Sequence, residues 1–292
     1  MIQYEQQLIR TNGVNLNVIQ AGDPDGDLTI LLHGFPEFWY GWRHQIPVLA
    51  TRGLRLWIPD QRGYNFSDKP NGIRGYRVDE LIADIVGLVH AAGEERANII
   101  GHDWGAMIAW WLALRYPEKV ARLGILNMPH PRVFEKTLRT SPSQIIKSIY
   151  AGVFQIPFLP EKLISLNDWY LMAETIQSSG NPGSFTDEDM QQYRNAWSKP
   201  GAMTSMMNWY RAYLRYYPVA PVSWRVTMPT LMIWGTQDQA LSEDMARPSI
   251  EYCENGGELY LLTDATHWVQ HDKATRVNEL LSEFLNTSIS SL

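Results

Sequence analysis

The chain has 292 residues, of which 45% are apolar and 19% charged, with a net charge of −6 at pH 7. That balance describes a globular protein with ample chain for a core, excludes a disordered one, and offers no basic footprint for nucleic acid. The single cysteine, Cys253, excludes an internal disulfide and suits a reducing compartment. The polar start, Met1–Arg10, has no secretory pattern, and the longest apolar run, Ala106–Leu114, is far short of the ~20 residues of a membrane span. A soluble, cytoplasmic protein with no membrane partner is therefore expected, with monomer and homodimer equally open.

In chain order, Asn15–Gln20 and Leu28–Leu32 read as strands separated by the turn-forming Gly22-Asp23-Pro24-Asp25-Gly26. His33-Gly34-Phe35-Pro36 follows, then an amphipathic stretch from Trp39 to Leu49 and a strand at Leu54–Ile58. Asp60 to Pro70 is a loop rich in turn residues. Val78–Ala92 repeats apolar residues at helical spacing (Val78, Leu81, Ile82, Ile85, Val86, Val89). A strand ending at Ile99-Ile100 runs into Gly101-His102-Asp103-Trp104-Gly105, a helical pattern follows at once, and Val120–Leu126 is the next strand. Strands alternating with helices predict a mainly parallel sheet covered on both faces.

From Pro129 to Val222 the pattern changes to short helices, prolines and many aromatics, with a Gly/Pro/Ser segment at Ser178–Ser184. This predicts an all-helical insertion. Alternation resumes with strands at Thr230–Trp234 and Glu258–Leu262 and a closing helix from about Lys273 to Leu285. The expected division is a discontinuous core of residues 1–128 and 223–292 and a helical cap of residues 129–222.

Gly-x-Asp-x-Gly between a strand and a helix is the layout of a nucleophile elbow, a turn that projects its central side chain from the sheet. Asp238, in Trp234-Gly235-Thr236-Gln237-Asp238, and His267, in Asp264-Ala265-Thr266-His267-Trp268, also follow strand ends. In open α/β sheets, reactive groups gather beyond those ends. One aspartate after a strand is usually a turn former. Three groups in the order nucleophile, acid, histidine match the α/β-hydrolase fold. In that fold, His33-Gly34-Phe35-Pro36 would supply half of an oxyanion hole, its donors the backbone N–H groups of Phe35 and Trp104. His33 is expected to bind loop backbone, His102 to pack, and His44, His90, His130 and His271 to be surface or packing residues.

The aspartate decides the chemistry. A serine attacking an sp3 carbon would form an ether, a dead end, whereas a carboxylate forms an alkyl ester that water can cleave. Asp103 therefore points to displacement at an epoxide or an alkyl halide. An opened epoxide leaves as an alkoxide, about as basic as hydroxide, whose parent water has a pKa of about 15.7. It needs an acid, and a tyrosine of pKa about 10 stays protonated at neutral pH. The helical insertion is rich in tyrosines.

Across nearly its whole length the chain resembles the soluble epoxide hydrolases. The resemblance rests on His33-Gly34-Phe35-Pro36-Glu37-Phe38-Trp39-Tyr40-Gly41-Trp42-Arg43, Asp60-Gln61-Arg62-Gly63-Tyr64, Gly101-His102-Asp103-Trp104-Gly105, Asn127-Met128-Pro129-His130-Pro131 and His267-Trp268. It implies two ring-opening tyrosines: Tyr150, ahead of Phe154-Gln155-Ile156-Pro157, and Tyr210, in Asn208-Trp209-Tyr210-Arg211. It also implies a cis Phe35-Pro36 bond. Trp104, Phe154 and Trp209 are expected to line the substrate pocket. The implied partners are a small epoxide and water, with no cofactor and no metal. Thr266 and Asn65-Phe66 stand where the family often has glycine.

Haloalkane dehalogenases share the Asp-Trp elbow, but they typically carry a polar side chain where this chain has Phe35. A fluoroacetate-type enzyme would show arginines where Trp104, Ala106 and Met107 stand. A dehalogenase is thus the first alternative to an epoxide hydrolase. A non-catalytic ligand-binding protein on the same scaffold is the second.

Overall fold

Asn12 and Gly13 turn the chain back near its start, with φ of 41° and 78°, the geometry of a tight hairpin turn. They join β1 (Glu5–Thr11) to β2 (Val14–Gly22). The computed structural model describes residues 4–286; the start of the polar Met1–Arg10 segment and the outer ends of the ranges 1–128 and 223–292 lie outside the described residues. β1 is absent from the sequence reading. It is an edge strand, mostly exposed, so it lacks the apolar alternation that marks a strand.

β3 (Asp27–Leu32), β4 (Leu54–Pro59), β5 (Ala97–His102), β6 (Val120–Leu126), β7 (Thr230–Gly235) and β8 (Gly257–Leu262) complete one sheet. Its order is β1-β2-β4-β3-β5-β6-β7-β8. β2 is antiparallel to both neighbours and every other pair is parallel. β5 and β7 are buried along their whole length, as strands covered on both faces must be. Successive side chains alternate between two cores: Ile30, Leu32 and Ile99 enter one, Leu31 and Ile100 the other.

The helix Trp104–Arg115 follows β5 directly and buries eleven of its twelve residues, including Trp110 and Trp111. Its hydrophobicity all round fits a helix enclosed on every side. Gly105 packs so closely on β3 that a Cβ there would overlap the carbonyl oxygen of Leu32. Backbone cannot yield as a flexible side chain does. Gly105→Ala should therefore cost at least the ~1–3 kcal/mol of overpacking, read as a lower urea midpoint; an unchanged midpoint would show that β3 can retreat.

The stretch Trp39–Leu49 is divided into a 3₁₀ turn, Trp39–Trp42, and a short helix, Ile46–Ala50. Pro47 lacks the N–H that would continue one helix back to Arg43.

Among the described residues no strand forms between Leu126 and Thr230. Helices fill that span: Pro131–Thr140, Pro142–Lys147, Ile149–Val153, Leu159–Ile164, Leu166–Ser179, Asp187–Trp197 and Ala202–Arg215. They are tied to loops beyond the carboxyl ends of β3 and β4. Trp197 Nε1 donates to Pro36 O at 2.7 Å, Tyr193 Oη to Glu37 Oε1 at 2.6 Å, and Trp209 Nε1 to Arg62 O at 3.0 Å. No helix among the described residues is long and apolar enough to cross a membrane.

Candidate active site

Asp103 joins β5 to the helix Trp104–Arg115 at φ 50° and ψ −123°, a conformation costly for a residue with a Cβ. Neighbouring structure holds it there. Asp103 N–H donates to Leu126 O at 3.2 Å, and Asp103 O accepts from Met107 N–H at 2.9 Å. The strained turn places the carboxylate beyond the sheet edge, where Phe35 N–H donates to Oδ1 at 2.7 Å. Gly34 permits that approach, because a Cβ on it would overlap the Asp103 side chain. The Phe35-Pro36 bond is cis. Trp104 opens its helix, so its N–H has no acceptor in a preceding turn.

His267 lies between two carboxylates. Nδ1 is 2.7 Å from Asp238 Oδ2, and Nε2 is 3.5 Å from Asp103 Oδ2. Asp238 is fixed in turn: Asn127 Nδ2 donates to Oδ2 at 2.8 Å, and the N–H groups of Ala240 and Leu241 donate to Oδ1 at 2.7 and 2.9 Å. Burial alone would suppress the charge on His267. The opposing carboxylates of Asp238 and Asp103 outweigh it and hold the imidazole well above its ordinary pKa. Asp238 is lowered despite its burial, chiefly by the charge of His267.

Tyr150, on the helix Ile149–Val153, and Tyr210, on Ala202–Arg215, face the same carboxylate. Their ring centroids are 5.8 Å apart. Burial raises both phenols above the usual tyrosine pKa, and the charge of Asp103 raises both further. Arg211 braces the pair. It donates to Phe154 O at 2.7 Å and Ile156 O at 3.0 Å, and it pairs with Glu161 at 2.7 Å. The residue after Tyr210 thus clamps the backbone just beyond Tyr150.

Two cavities open on these groups. One, of about 600 Å3, is walled by Trp104, Met107, Met128, Phe134 and Tyr213 among others. The second, of about 370 Å3, is walled by Phe35, Phe154, Met172, His267 and Trp268 among others. Trp104 and Phe154 therefore lie where a substrate pocket is expected. Trp209 does not, and the expectation for it is corrected: it is in neither wall. One residue ahead of Tyr210 on a helix, its ring is turned back against Tyr64 and the edge of Trp104.

A model of the alpha/beta hydrolase fold matches residues 28–274. The protein "AB hydrolase superfamily protein YfhM" of Bacillus subtilis is 46% identical over 96% of this chain and 97% of its own. Human "Epoxide hydrolase 4" is 38% identical, covering 95% of this chain and 77% of its own. A crystal structure of Bacillus megaterium epoxide hydrolase with an inhibitor superimposes with a TM-score of 0.88 at 34% identity, over 96% of this chain and 100% of that one. The chain belongs to the epoxide hydrolases of the α/β-hydrolase superfamily.

This member of the family also carries features that no single motif announces. Glu37 is buried, and its carboxylate accepts from Tyr193 at 2.6 Å, His271 Nε2 at 2.8 Å and Gln270 Nε2 at 3.0 Å. Burial opposes its charge, but His271 and His102 overcome that and hold Glu37 well below the usual carboxylate range. His102 sits between this carboxylate and the backbone of the neighbouring loop, its Nε2 2.8 Å from His267 O. His102 and His271 are packing residues with every ring nitrogen engaged. His33 binds backbone on both sides, with Gly34 O at Nδ1 and Gln61 N–H at Nε2. Thr266 anchors the His267 loop, donating through Oγ1 and N to Asp272 Oδ2 at 2.6 and 2.7 Å.

Proposed function

We propose that the protein hydrolyses epoxides to vicinal diols in two steps, through an alkyl ester on Asp103 and without a cofactor. Asp103 attacks one ring carbon while Tyr150 and Tyr210 hold the oxygen and protonate it. The ring C–O bond breaks, the carboxylate–carbon bond forms, and a phenol proton passes to the leaving oxygen. Water then attacks the ester carbonyl of Asp103 after giving a proton to His267. The oxyanion formed is stabilised by the N–H groups of Phe35 and Trp104. Residues 129–222 act as the cap that brings the tyrosines over the core, and water and a small epoxide are the only partners required.

The observation carrying this reading is the convergence of Asp103, Tyr150, Tyr210 and His267 on the wall of the smaller cavity, with Asp238 behind it at 2.7 Å from His267 Nδ1. The electrostatics support the order of the steps. Esterification removes the negative charge of Asp103, one of the two carboxylates that keep His267 protonated. The imidazole thus becomes a better base in the intermediate that needs one. Phe35 offers no side-chain donor to a halide, and the relatives named above support the epoxide over the halide.

Single-turnover reaction of styrene oxide in heavy-oxygen water tests the mechanism. Label should enter the Asp103 carboxylate, because water attacks its carbonyl. Label confined to the diol after one turnover would mean direct attack of water on the ring.

A further inference from the structure

The helix that carries Tyr150 has little apolar anchorage. Ile149–Val153 has no fully buried residue, and its Ile149 and Val153 are exposed. The preceding helix, Pro142–Lys147, buries one residue, and that one is polar: Gln144, wholly enclosed. Burying an amide is costly unless its polar atoms find partners. Gln144 finds them mainly on the loop that begins at Asp238. Its Oε1 accepts from Ser242 N–H at 2.9 Å, and its Nε2 donates to Ala240 O at 2.8 Å and to Ser148 Oγ at 3.1 Å. Lys147, one turn on, donates through Nζ to Asp238 O at 2.9 Å.

The same loop serves the acid. The N–H groups of Ala240 and Leu241 hold Asp238 Oδ1, while the N–H of Ser242 and the carbonyls of Asp238 and Ala240 turn to the helix Pro142–Lys147. Ser148 caps the start of the Tyr150 helix, so the bond from Gln144 to its hydroxyl reaches that helix directly. Beyond Tyr150 the backbone is clamped by Arg211 at Phe154 O and Ile156 O. Only an amide suits the Gln144 position. Glutamate would set a charge against the Ala240 carbonyl, and methionine would leave both loop groups without their partner. On the ring-opening role proposed for Tyr150, which this inference takes as its base, placement is decisive, since a shift of about 1 Å can cost ~10²-fold in rate. We propose that Gln144, supported by Lys147, is a positioning residue for ring opening: it sets the place of the Tyr150 hydroxyl by tying the tyrosine's helix to the Asp238 loop.

Excess protein mixed with styrene oxide separates the two chemical steps, because loss of epoxide times ring opening and appearance of diol times ester release. Gln144→Met is close in size and removes both loop bonds. In a Tyr210→Phe protein, where Tyr150 is the remaining acid, it should slow epoxide loss at least ~10-fold. In a Tyr150→Phe protein, where the positioned hydroxyl is already gone, it should slow that loss less than ~2-fold, the non-additivity of two residues acting as one unit. General loosening of the fold would slow both backgrounds alike. Lys147→Met, at a half-buried position, should show the same asymmetry in weaker form, and it carries the test should Gln144→Met fail to fold. Equal slowing in both backgrounds, or none in either, would overturn the inference and leave the epoxide reading standing. So would epoxide loss at its usual rate with slower diol release, which would place the effect of the brace on Asp238 instead of Tyr150. No loss of epoxide with the unaltered protein would bring down the epoxide reading and this inference with it.

Discussion

The His267→Gln protein, mixed with styrene oxide, should gain the mass of one epoxide and then stop. On the proposed mechanism nothing in ring opening requires His267: Asp103 would be the nucleophile and a tyrosine would supply the proton. Release does require it, because neutral water is a poor nucleophile toward an ester until a base takes its proton. Glutamine can fill similar space and donate toward Asp238, but it cannot accept that proton at neutral pH. Turnover should fall on the order of 10⁴-fold, as when a triad histidine loses its competence as a base. Intact-protein mass spectrometry should find the adduct, and peptide analysis should place it on Asp103. The wild-type protein should show the complementary pH behaviour. In the ester intermediate Asp103 is uncharged and only Asp238 still raises His267, so the release step should quicken as pH rises through a value lower than the one His267 has in the free protein. Steady diol production by His267→Gln with no adduct would mean that another group activates the water.

Much of this arrangement is legible in the linear sequence because the chemistry sits at element boundaries. β5, β6 and β7 are apolar runs, and Asp103 and Asp238 lie in the loops that follow β5 and β7, so strand patterning locates them directly. Where patterning is weak, reading fails. β1 is an exposed edge strand whose adjacent Leu8 and Ile9 give no alternation, and only Asn12-Gly13, a hairpin signal, marks its presence. The Trp39–Leu49 stretch has helical apolar spacing, yet Pro47 prevents one continuous helix. Trp209 shows a different limit. A helix turns about 100° per residue, so neighbours in one motif face different things: Tyr210 the cavity, Trp209 the packed loop behind it. Glu37, Asn127 and Arg211 stand inside recognisable motifs, but their work is done on partners from about 50 to 234 positions away. No local pattern encodes contacts of that span. The partly exposed Tyr150 is placed by its distance from Phe154-Gln155-Ile156-Pro157, and the Arg211 bonds to Phe154 and Ile156 give that spacing a physical basis.

Tyr150→Phe and Tyr210→Phe should each leave partial activity, whereas the double variant should lose at least the ~10²–10⁴-fold typical of general acid catalysis. Two donors converge on one oxygen, so either alone can still protonate the alkoxide, though with poorer support. With both gone, an oxygen about as basic as hydroxide must leave into an apolar wall with no proton. The substitutions preserve the rings, and with them the edge contacts of Tyr210 to Phe35, Phe154 and Trp104 at 5.0–5.2 Å. A change in folding is therefore not the expected cause of the loss. The step affected separates these variants from His267→Gln. Ring opening fails in the double tyrosine variant, so no adduct should accumulate on Asp103 even under single-turnover conditions, whereas in His267→Gln the adduct is the end state. Normal hydrolysis of styrene oxide by the double variant would show that the acid lies elsewhere in the cavity walls. An adduct that forms at the usual rate and persists would instead move the tyrosines from ring opening to ester release.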